Sequence, residues 1–321
     1  MPQPVCSVSL DLDNLWSYLK THGDAGWDSY PSYLNIVVPR VLTFLRQHDA
    51  SITWFLVGRD AADPAHHAVL RSIVAAGHEV GNHSFHHEPW LHLYTEAEIE
   101  AELVNAEDAI EHATGERPTM FRGPGFSHSP TLLNVLARRG YRFDASTFPT
   151  FLGPLARLYY FATAKGLSAA EKEKRKKLFG KFRDGFGKLK PYFWNTRSGP
   201  LLEIPVTTMP VFKLPIHLSY VLYLAGYSRW LAKAYWALAL RMCRLFRVEL
   251  SLLLHPLDFL GRDDTDRLSF FAAMKAPNAP KLALAAELFV MLKRHYRLVP
   301  MGVHAGMIQA RRGQRLPVTT G

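Results

Sequence analysis

The sequence predicts an α/β fold with a mainly parallel sheet, either a doubly wound sheet or a barrel. Short apolar, partly β-branched runs alternate with longer segments whose apolar residues recur at helical spacing, and this alternation extends through the first 150 residues. Such alternation is typical of parallel sheets. In both architectures, ligand sites lie at the carboxyl ends of the strands. Polar residues that follow a predicted strand are therefore the first candidates for a site.

Strands are predicted where apolar runs are bounded by turn residues or polar residues. In chain order these runs are Val5–Leu12, Ile52–Val57, Gly77–Val80, Met120–Arg122, Tyr141–Asp144, Leu201–Val206 and Glu249–Leu254. Helical spacing predicts helices over Pro39–Gln47 and Pro64–Ala76. A third helix is expected to open with the capping box of Thr95 and Glu98 and to run to about Ala113.

Length and composition exclude several classes of protein. With 321 residues, 48% hydrophobic and 21% charged, the chain can bury a core, so a disordered or fibrous protein is excluded. Two cysteines, Cys6 and Cys243, are too few for a disulfide framework. The sequence does not open with a basic stretch and an apolar core, so no secretory signal is predicted. We expect a protein of the cytoplasm or a peripheral protein on the cytoplasmic face of the inner membrane.

The net charge of +10 is concentrated in the middle of the chain. Residues 1–150 carry −8, residues 151–247 carry +14, and residues 248–321 carry +4. A local excess of this kind indicates a binding face for an anionic partner. We expect one barrel domain over residues 1–308, with 151–247 as a basic insertion, and a loose tail over 309–321.

The basic insertion allows two interpretations. Lys165–Lys190 is rich in Lys, Gly and Phe, and Leu214–Ser228 has no charged residue but is shorter than the roughly 20 residues of a membrane span. Ser228–Arg247 is predicted to be a helix with cations on one arc and apolar residues on the opposite face. These sets are Arg229, Lys233, Arg241, Arg244 and Arg247 against Leu231, Tyr235, Leu238, Met242, Leu245 and Phe246. The helix is either an ordinary barrel helix or, as we favour, one that lies on an anionic membrane surface.

Two polar clusters follow predicted strands. Asp11 and Asp13 fall on the same side of the first strand, although aspartates there are also common as turn or cap residues. The second cluster contains His83, His86 and His87. Imidazole and carboxylate together are ligands for zinc or a similar divalent ion. A site with three protein ligands keeps positions for water and substrate, which is typical of catalysis.

Four motifs resemble the polysaccharide deacetylase family, carbohydrate esterase family 4. They are Asp11-Leu12-Asp13, His83-Ser84-Phe85-His86-His87, Phe121-Arg122-Gly123-Pro124-Gly125 and Leu254-His255-Pro256-Leu257-Asp258. The resemblance covers roughly residues 5–150 and 200–300. It implies a distorted (β/α) TIM-like barrel, here with a basic, aromatic-rich helical insertion, and metal-dependent N-deacylation of amino sugars.

The resemblance also implies roles for individual residues. Asp13, His83 and His87 match the ligands of one divalent metal ion, for which we expect zinc, with Co, Mn or Ni as alternatives. Asp11 matches the general base, His255 the general acid, and Arg122 the residue that orients the base. Asp144 matches a position that tunes the catalytic histidine, although a plain aspartate at a strand end is an equal alternative. Supporting or substrate-contacting positions are Pro124, Gly125, Phe126 and Asn14.

The sequence departs from the common family pattern at two places. Leu12 separates two aspartates that are usually adjacent, and Phe148 stands where Trp is more typical. The Asp-x-Asp form, together with Glu203–Pro210, is similar to the branch that includes the undecaprenyl-phosphate 4-formamidoarabinose deformylase. We therefore expect a deacetylase or deformylase of an amino sugar carried on a polyprenyl phosphate at an anionic membrane surface.

Two alternatives remain open. One is a deacetylase of soluble chitin- or peptidoglycan-type oligosaccharides. The other is an inactive barrel that binds lipid or nucleic acid, which we disfavour because every expected catalytic position holds a competent residue.

Overall fold

The computed structural model describes residues 3–154 and 182–313. Its strands are β1 Val5–Asp11, β2 Thr53–Leu56, β3 Glu79–Asn82, β4 Met120–Phe121, β5 Phe143–Asp144, β6 Tyr192–Thr196, β7 Gly199–Glu203, β8 Leu250–Leu254 and β9 Arg297–Val299. Its α-helices are α1 Leu15–His22, α2 Leu34–Gln47, α3 Gly58–Ala61, α4 Pro64–Ala75, α5 Glu96–Thr114, α6 Pro130–Arg138, α7 Leu218–Ala225, α8 Arg229–Leu245, α9 Asn278–Lys293 and α10 Met301–Gly313.

The strands form one curved sheet in the order β6-β7-β5-β4-β3-β2-β1-β8, with β9 also paired to β1. All pairs are parallel except the β6–β7 hairpin. The chain that leaves β7 joins the two sides of the sheet, because the Thr207 backbone N–H donates to the Ser251 carbonyl of β8 at 3.0 Å. The fold is therefore the distorted (β/α) barrel that the family resemblance implies.

The barrel is closed at its amino end and open at its carboxyl end. Helix α10 closes the amino end: the Met301 N–H donates to the Thr53 hydroxyl at 2.8 Å, and the His304 ring contacts the Ser7 hydroxyl at 2.9 Å. Apolar side chains of β2 and β5, including Phe55 and Phe143, fill the interior above α10. Residues that follow β1, β3, β4 and β8 are left at the open end.

Most predicted elements agree with the structure to within a few residues, and the capping box of Thr95 and Glu98 is present at the start of α5. Helix α2 begins at Leu34, whereas the helical spacing predicted a start at Pro39. The burial of its apolar face stabilises the helix by more than the lost hydrogen bond of the internal Pro39 destabilises it. Helix α10 runs to Gly313, past the start of the expected loose tail, and residues 314–321 lie outside the described part.

Residues 151–247 contain barrel elements as well as the basic segment. Strands β6 and β7 belong to the sheet, and α8 packs on α9. Residues 155–181, including most of the run Lys165–Lys190, lie outside the described residues.

Helix α8 has two apolar faces, of which the sequence analysis predicted only one. Its buried residues are Ala232, Trp236, Ala239, Leu240 and Cys243. Of the residues expected on one apolar face, Leu231, Leu238, Leu245 and Phe246 are exposed. The predicted face is thus an apolar stripe that faces outward, whereas the other face packs against the barrel.

Candidate active site

Three predicted metal ligands come together at the open end of the barrel. Asp13 follows β1, whereas His83 and His87 lie on the loop after β3, and all three are buried. One Asp13 carboxylate oxygen lies 2.9 Å from Nε2 of His87 and 3.3 Å from Nε2 of His83. Ligand atoms of the three residues lie within 4.8 Å of one another, so they could hold one metal ion.

The donor atoms of this cluster suit a divalent cation. Nδ1 of His83 lies 2.6 Å from the Arg122 carbonyl, which can only accept. This contact places a proton on Nδ1, so Nε2 is the ring nitrogen directed at Asp13 and the one that a metal ion could use, the arrangement common among metal-binding histidines. Burial raises the pKa of Asp13, but the charge of His87 and the hydrogen bonds from both histidines hold it well below its usual range. A cation in place of those protons would be stabilised by the same carboxylate.

The histidine loop is held by a buried carboxylate on α5. One oxygen of Glu102 accepts from the backbone N–H groups of Phe85 and His86, at 2.9 and 3.0 Å, and the other lies 2.6 Å from Nδ1 of His86. Burial raises the pKa of Glu102, but these hydrogen bonds outweigh it and lower the pKa. Ser84 and His87 have φ values of 60° and 51°, in the left-handed region that non-glycine residues rarely adopt. Glu102 thus stabilises a strained loop between two candidate ligands, and nothing in its sequence position indicated this.

Asp11, the predicted base, is paired with a fully buried arginine. The Arg122 guanidinium donates to Asp11 and to the Ser9 hydroxyl, both at 3.0 Å, and to the Ala145 carbonyl at 2.9 Å. It also lies 4.7 Å from the centroid of the Phe55 ring. Ser9 and Asp11 alternate with core residues along β1, which explains why both face the same arginine.

His255 lies beside this pair at the end of β8. Leu254 pairs with Leu10 in the parallel register, so His255 is level with Asp11. Nδ1 of His255 lies 3.0 Å from the Ser219 hydroxyl of α7, and its backbone N–H donates to Asp258 at 2.8 Å. Neither Ser219 nor Asp258 was among the predicted site residues.

Asp144 has a different neighbour from the one the resemblance implies. Its carboxyl group accepts from the Ser146 hydroxyl, and the residue that pairs with it on the neighbouring strand β7 is Glu203. Burial and the nearby Asp144 charge raise the pKa of Glu203 well above its usual value. Thr147 and Trp194 donate to the Glu203 carboxyl group. These contacts fit the alternative of a structural aspartate at a strand end.

The remaining predicted positions divide between scaffold and cleft. Asn14 is fully buried and caps α1, and its amide donates to Asp60 at 2.7 Å, so its geometry is that of a scaffold residue and not of a substrate contact. Gly123 must be glycine, since a Cβ there would lie 2.0 Å from the Ser127 carbonyl oxygen. It begins the turn of Pro124, Gly125 and Phe126.

A row of aromatic rings connects this turn to His255. The rings of Phe126 and Phe148 stack at 4.6 Å, Phe148 lies 5.8 Å from the His217 ring, and His217 lies 5.9 Å from His255. Phe126 and Phe148 are partly exposed, so they could contact a substrate in the cleft.

His217 should make the protein sensitive to acid. Burial and the positive charge of His255 lower its pKa from 6.5 to about 3. The unfolded chain takes up a proton near pH 6.5 and the folded chain does not, so the free energy of unfolding falls as pH falls through this window, by about 1.4 kcal/mol per pH unit for one proton. His217→Asn should reduce this slope between pH 6 and 4, measured by urea unfolding, and leave the slope above pH 7 unchanged. An unaltered acid slope would contradict a His217 that stays neutral in the folded chain.

Comparisons with known proteins bear on the family to which the chain is similar. Residues 24–143 match the model of the polysaccharide deacetylase family, which confirms the family resemblance over that segment. The segment contains His83, His87 and Arg122, whereas Asp11, Asp13, Asp144 and His255 lie outside it.

Two curated relatives and one solved structure are similar to the chain. A chitooligosaccharide deacetylase from Azorhizobium caulinodans is 35% identical over 107 residues, which are 33% of this chain and 50% of the relative. A peptidoglycan deacetylase from Helicobacter pylori is 28% identical over 147 residues, 44% of this chain and 48% of the relative. The chain thus spans about half the length of these relatives. The crystal structure of a polysaccharide deacetylase candidate from Mycobacterium smegmatis has a TM-score of 0.63 at 20% identity, covers 97% of this chain and 92% of its own, and supports the fold.

Proposed function

We propose that this protein is a metal-dependent hydrolase that removes an acyl group from the nitrogen of an amino sugar. The match of residues 24–143 to the polysaccharide deacetylase family supports this proposal. The observation that carries the proposal is the juxtaposition of the Asp13, His83 and His87 cluster with the Asp11–Arg122 pair and with His255 at one end of the barrel. Each group has the chemistry that amide hydrolysis needs.

The reaction adds water to the acyl carbon, breaks the C–N bond, and yields a free amine and a carboxylic acid. A divalent ion at the cluster would supply Lewis acidity towards the carbonyl and the attacking water. Asp11 takes the proton of that water, and Arg122 keeps Asp11 oriented and balances its charge. His255 gives a proton to the departing nitrogen, a role suited to an imidazole because it titrates near neutral pH.

The substrate-side test uses acylated amino sugars and mass spectrometry. We expect a product lighter by one acetyl or formyl group, and we expect a chelator to prevent its formation. Polyprenyl-phosphate amino sugars and soluble chitin oligosaccharides serve as parallel substrates. If metal-loaded protein hydrolyses neither class of substrate, the proposal is overturned.

We further propose that the amino sugar is carried on a lipid phosphate and that the protein meets it at an anionic membrane surface. The outward stripe of α8 supports this, because Trp230 is 77% exposed and Leu245 is 76% exposed, beside Leu231 and Leu238. Arg241, Arg244 and Arg247 flank the stripe. Exposed apolar side chains beside cations are typical of helices that lie at a lipid interface. Among the described residues, no helix is long and apolar enough to cross a membrane.

Vesicle sedimentation separates this proposal from the soluble-oligosaccharide alternative, which the names of the relatives favour. The protein should sediment with phosphatidylglycerol–phosphatidylcholine vesicles at physiological salt, and the variant Trp230→Ser/Leu238→Ser/Leu245→Ser should stay in the supernatant. Ile36→Ser/Leu93→Ser, at exposed apolar positions elsewhere, is the matched control and should still bind. Wild-type protein that remains in the supernatant would favour the soluble substrates.

A further inference from the structure

The catalytic histidine proposed above is held by a helix that no motif includes. Ser219 is the second residue of α7, and its hydroxyl lies 3.0 Å from Nδ1 of His255. The two residues are 36 positions apart in sequence and belong to different elements. The contact therefore depends on how α7 packs against the end of β8.

A buried carboxylate lies on the other side of the Ser219 hydroxyl. Asp258 is 1% exposed, accepts the backbone N–H of His255 at 2.8 Å, and interacts electrostatically with the Ser219 hydroxyl. Burial raises the pKa of Asp258 above its usual value, and the charges of His255 and Lys281 and the Ser219 hydroxyl offset this only in part. Lys281 also donates to the Leu257 carbonyl at 2.7 Å, which fixes the turn that carries Asp258.

The direction of these hydrogen bonds determines where His255 holds its protons. An ionised Asp258 only accepts, so it attracts the Ser219 O–H, and the Ser219 oxygen then accepts from Nδ1–H of His255. With Nδ1 protonated, the proton that His255 gains and loses is the one on Nε2.

We infer that Ser219, supported by Asp258, is a positioning residue that fixes the Nδ1–H tautomer of His255, so that α7 completes the active site. The inference rests on the proposed hydrolase function for its kinetic consequences, but the tautomer itself can be measured without a substrate. It assigns to Ser219 and Asp258 the tuning role that the family resemblance gives to Asp144, whose contacts are with Ser146 and Glu203.

Several other titratable groups lie near His255 or Asp258. The rings of His217 and His255 lie 5.9 Å apart. His217 is neutral near neutral pH, because burial and the charge of His255 lower its pKa to about 3. Lys281 of α9 and Tyr18 of α1 both interact with Asp258. The Ser219 hydroxyl, and none of these groups, is the hydrogen-bond partner of Nδ1 of His255 among the described residues.

The test combines histidine NMR with kinetics. Long-range ¹H–¹⁵N spectra, with His255 assigned from the His255→Gln variant, should show the Nδ1–H tautomer in wild-type protein and a mixture of tautomers in Ser219→Ala. Ser219→Ala should lower kcat roughly three- to ten-fold, as expected for one lost neutral hydrogen bond, with KM little changed. It should also shift the pH profile of kcat.

Two further variants make the result specific. Ser219→Thr keeps a hydroxyl and should restore the tautomer and most of kcat. Ser251→Ala is the control, because it removes a buried hydroxyl of β8 that has no hydrogen-bond partner within the described chain. An Nδ1–H tautomer that persists in Ser219→Ala would overturn the inference, whatever the activity. A correct tautomer in a wild-type protein that hydrolyses no amide would leave the inference standing and overturn the proposed function.

Discussion

Asp11→Asn should lower kcat for amide hydrolysis by roughly 10²–10⁴-fold while the metal stays bound. An amide cannot take a proton from the attacking water, but it can still accept the Arg122 hydrogen bond, now made at 3.0 Å. The metal content should not change, because Asp13, His83 and His87 form the candidate metal cluster without Asp11. Turnover is measured by amine release and metal content by mass spectrometry.

Asp108→Asn is the control for this variant. Asp108 lies on α5, and its side chain is 64% exposed. Among the salt bridges of the described residues it pairs only with Arg117. The same loss of charge at this position should therefore leave kcat unchanged. Full turnover in Asp11→Asn would remove Asp11 from the role of base. Loss of metal together with turnover would instead make Asp11 part of the metal site.

Arg122→Met should destabilise the fold by about 3–5 kcal/mol, since it leaves the Asp11 charge buried without its partner. Arg122 is fully buried, and Asp11 is 4% exposed. The free energy of unfolding is measured by urea titration. Activity should also fall, because the base loses the group that orients it.

A second substitution distinguishes charge from packing. In Arg122→Met/Asp11→Asn the buried charge is absent, so part of the lost stability should return, and the two substitutions should be strongly non-additive. Arg138→Met, at an exposed arginine paired with Glu96 and Glu100, should leave the unfolding midpoint nearly unchanged. Additive effects at Arg122 and Asp11 would contradict the buried pair.

The position of the candidate site was predictable because it depends on local patterns. Alternation along β1 places Ser9 and Asp11 on one side, and parallel strands bring their carboxyl ends to one edge of the barrel. His83, Arg122 and His255 each follow a strand whose apolar run is visible in the sequence. The motifs therefore indicated which side chains meet before any distance was known.

The supporting residues were not predictable because they depend on packing between distant elements. Glu102 lies on an acidic helix among several glutamates, and only its burial against the histidine loop distinguishes it. Ser219 lies in an apolar helix, and its contact with His255 follows from the docking of α7 on β8. The buried face of α8, which includes Trp236 and Leu240, was not predicted, because helical spacing alone does not say which of two apolar faces packs on the barrel.

The central claim, amide hydrolysis that depends on one metal ion held by Asp13, His83 and His87, is tested most directly by a metal titration. Metal-free protein is loaded with increasing zinc, and the rate of amine release from an acylated amino sugar is measured at each step. We predict that the rate rises with bound metal and reaches its plateau at one ion per chain, and that His83→Ala shows no such rise. A metal-free protein that releases amine as fast as the loaded protein would contradict the account.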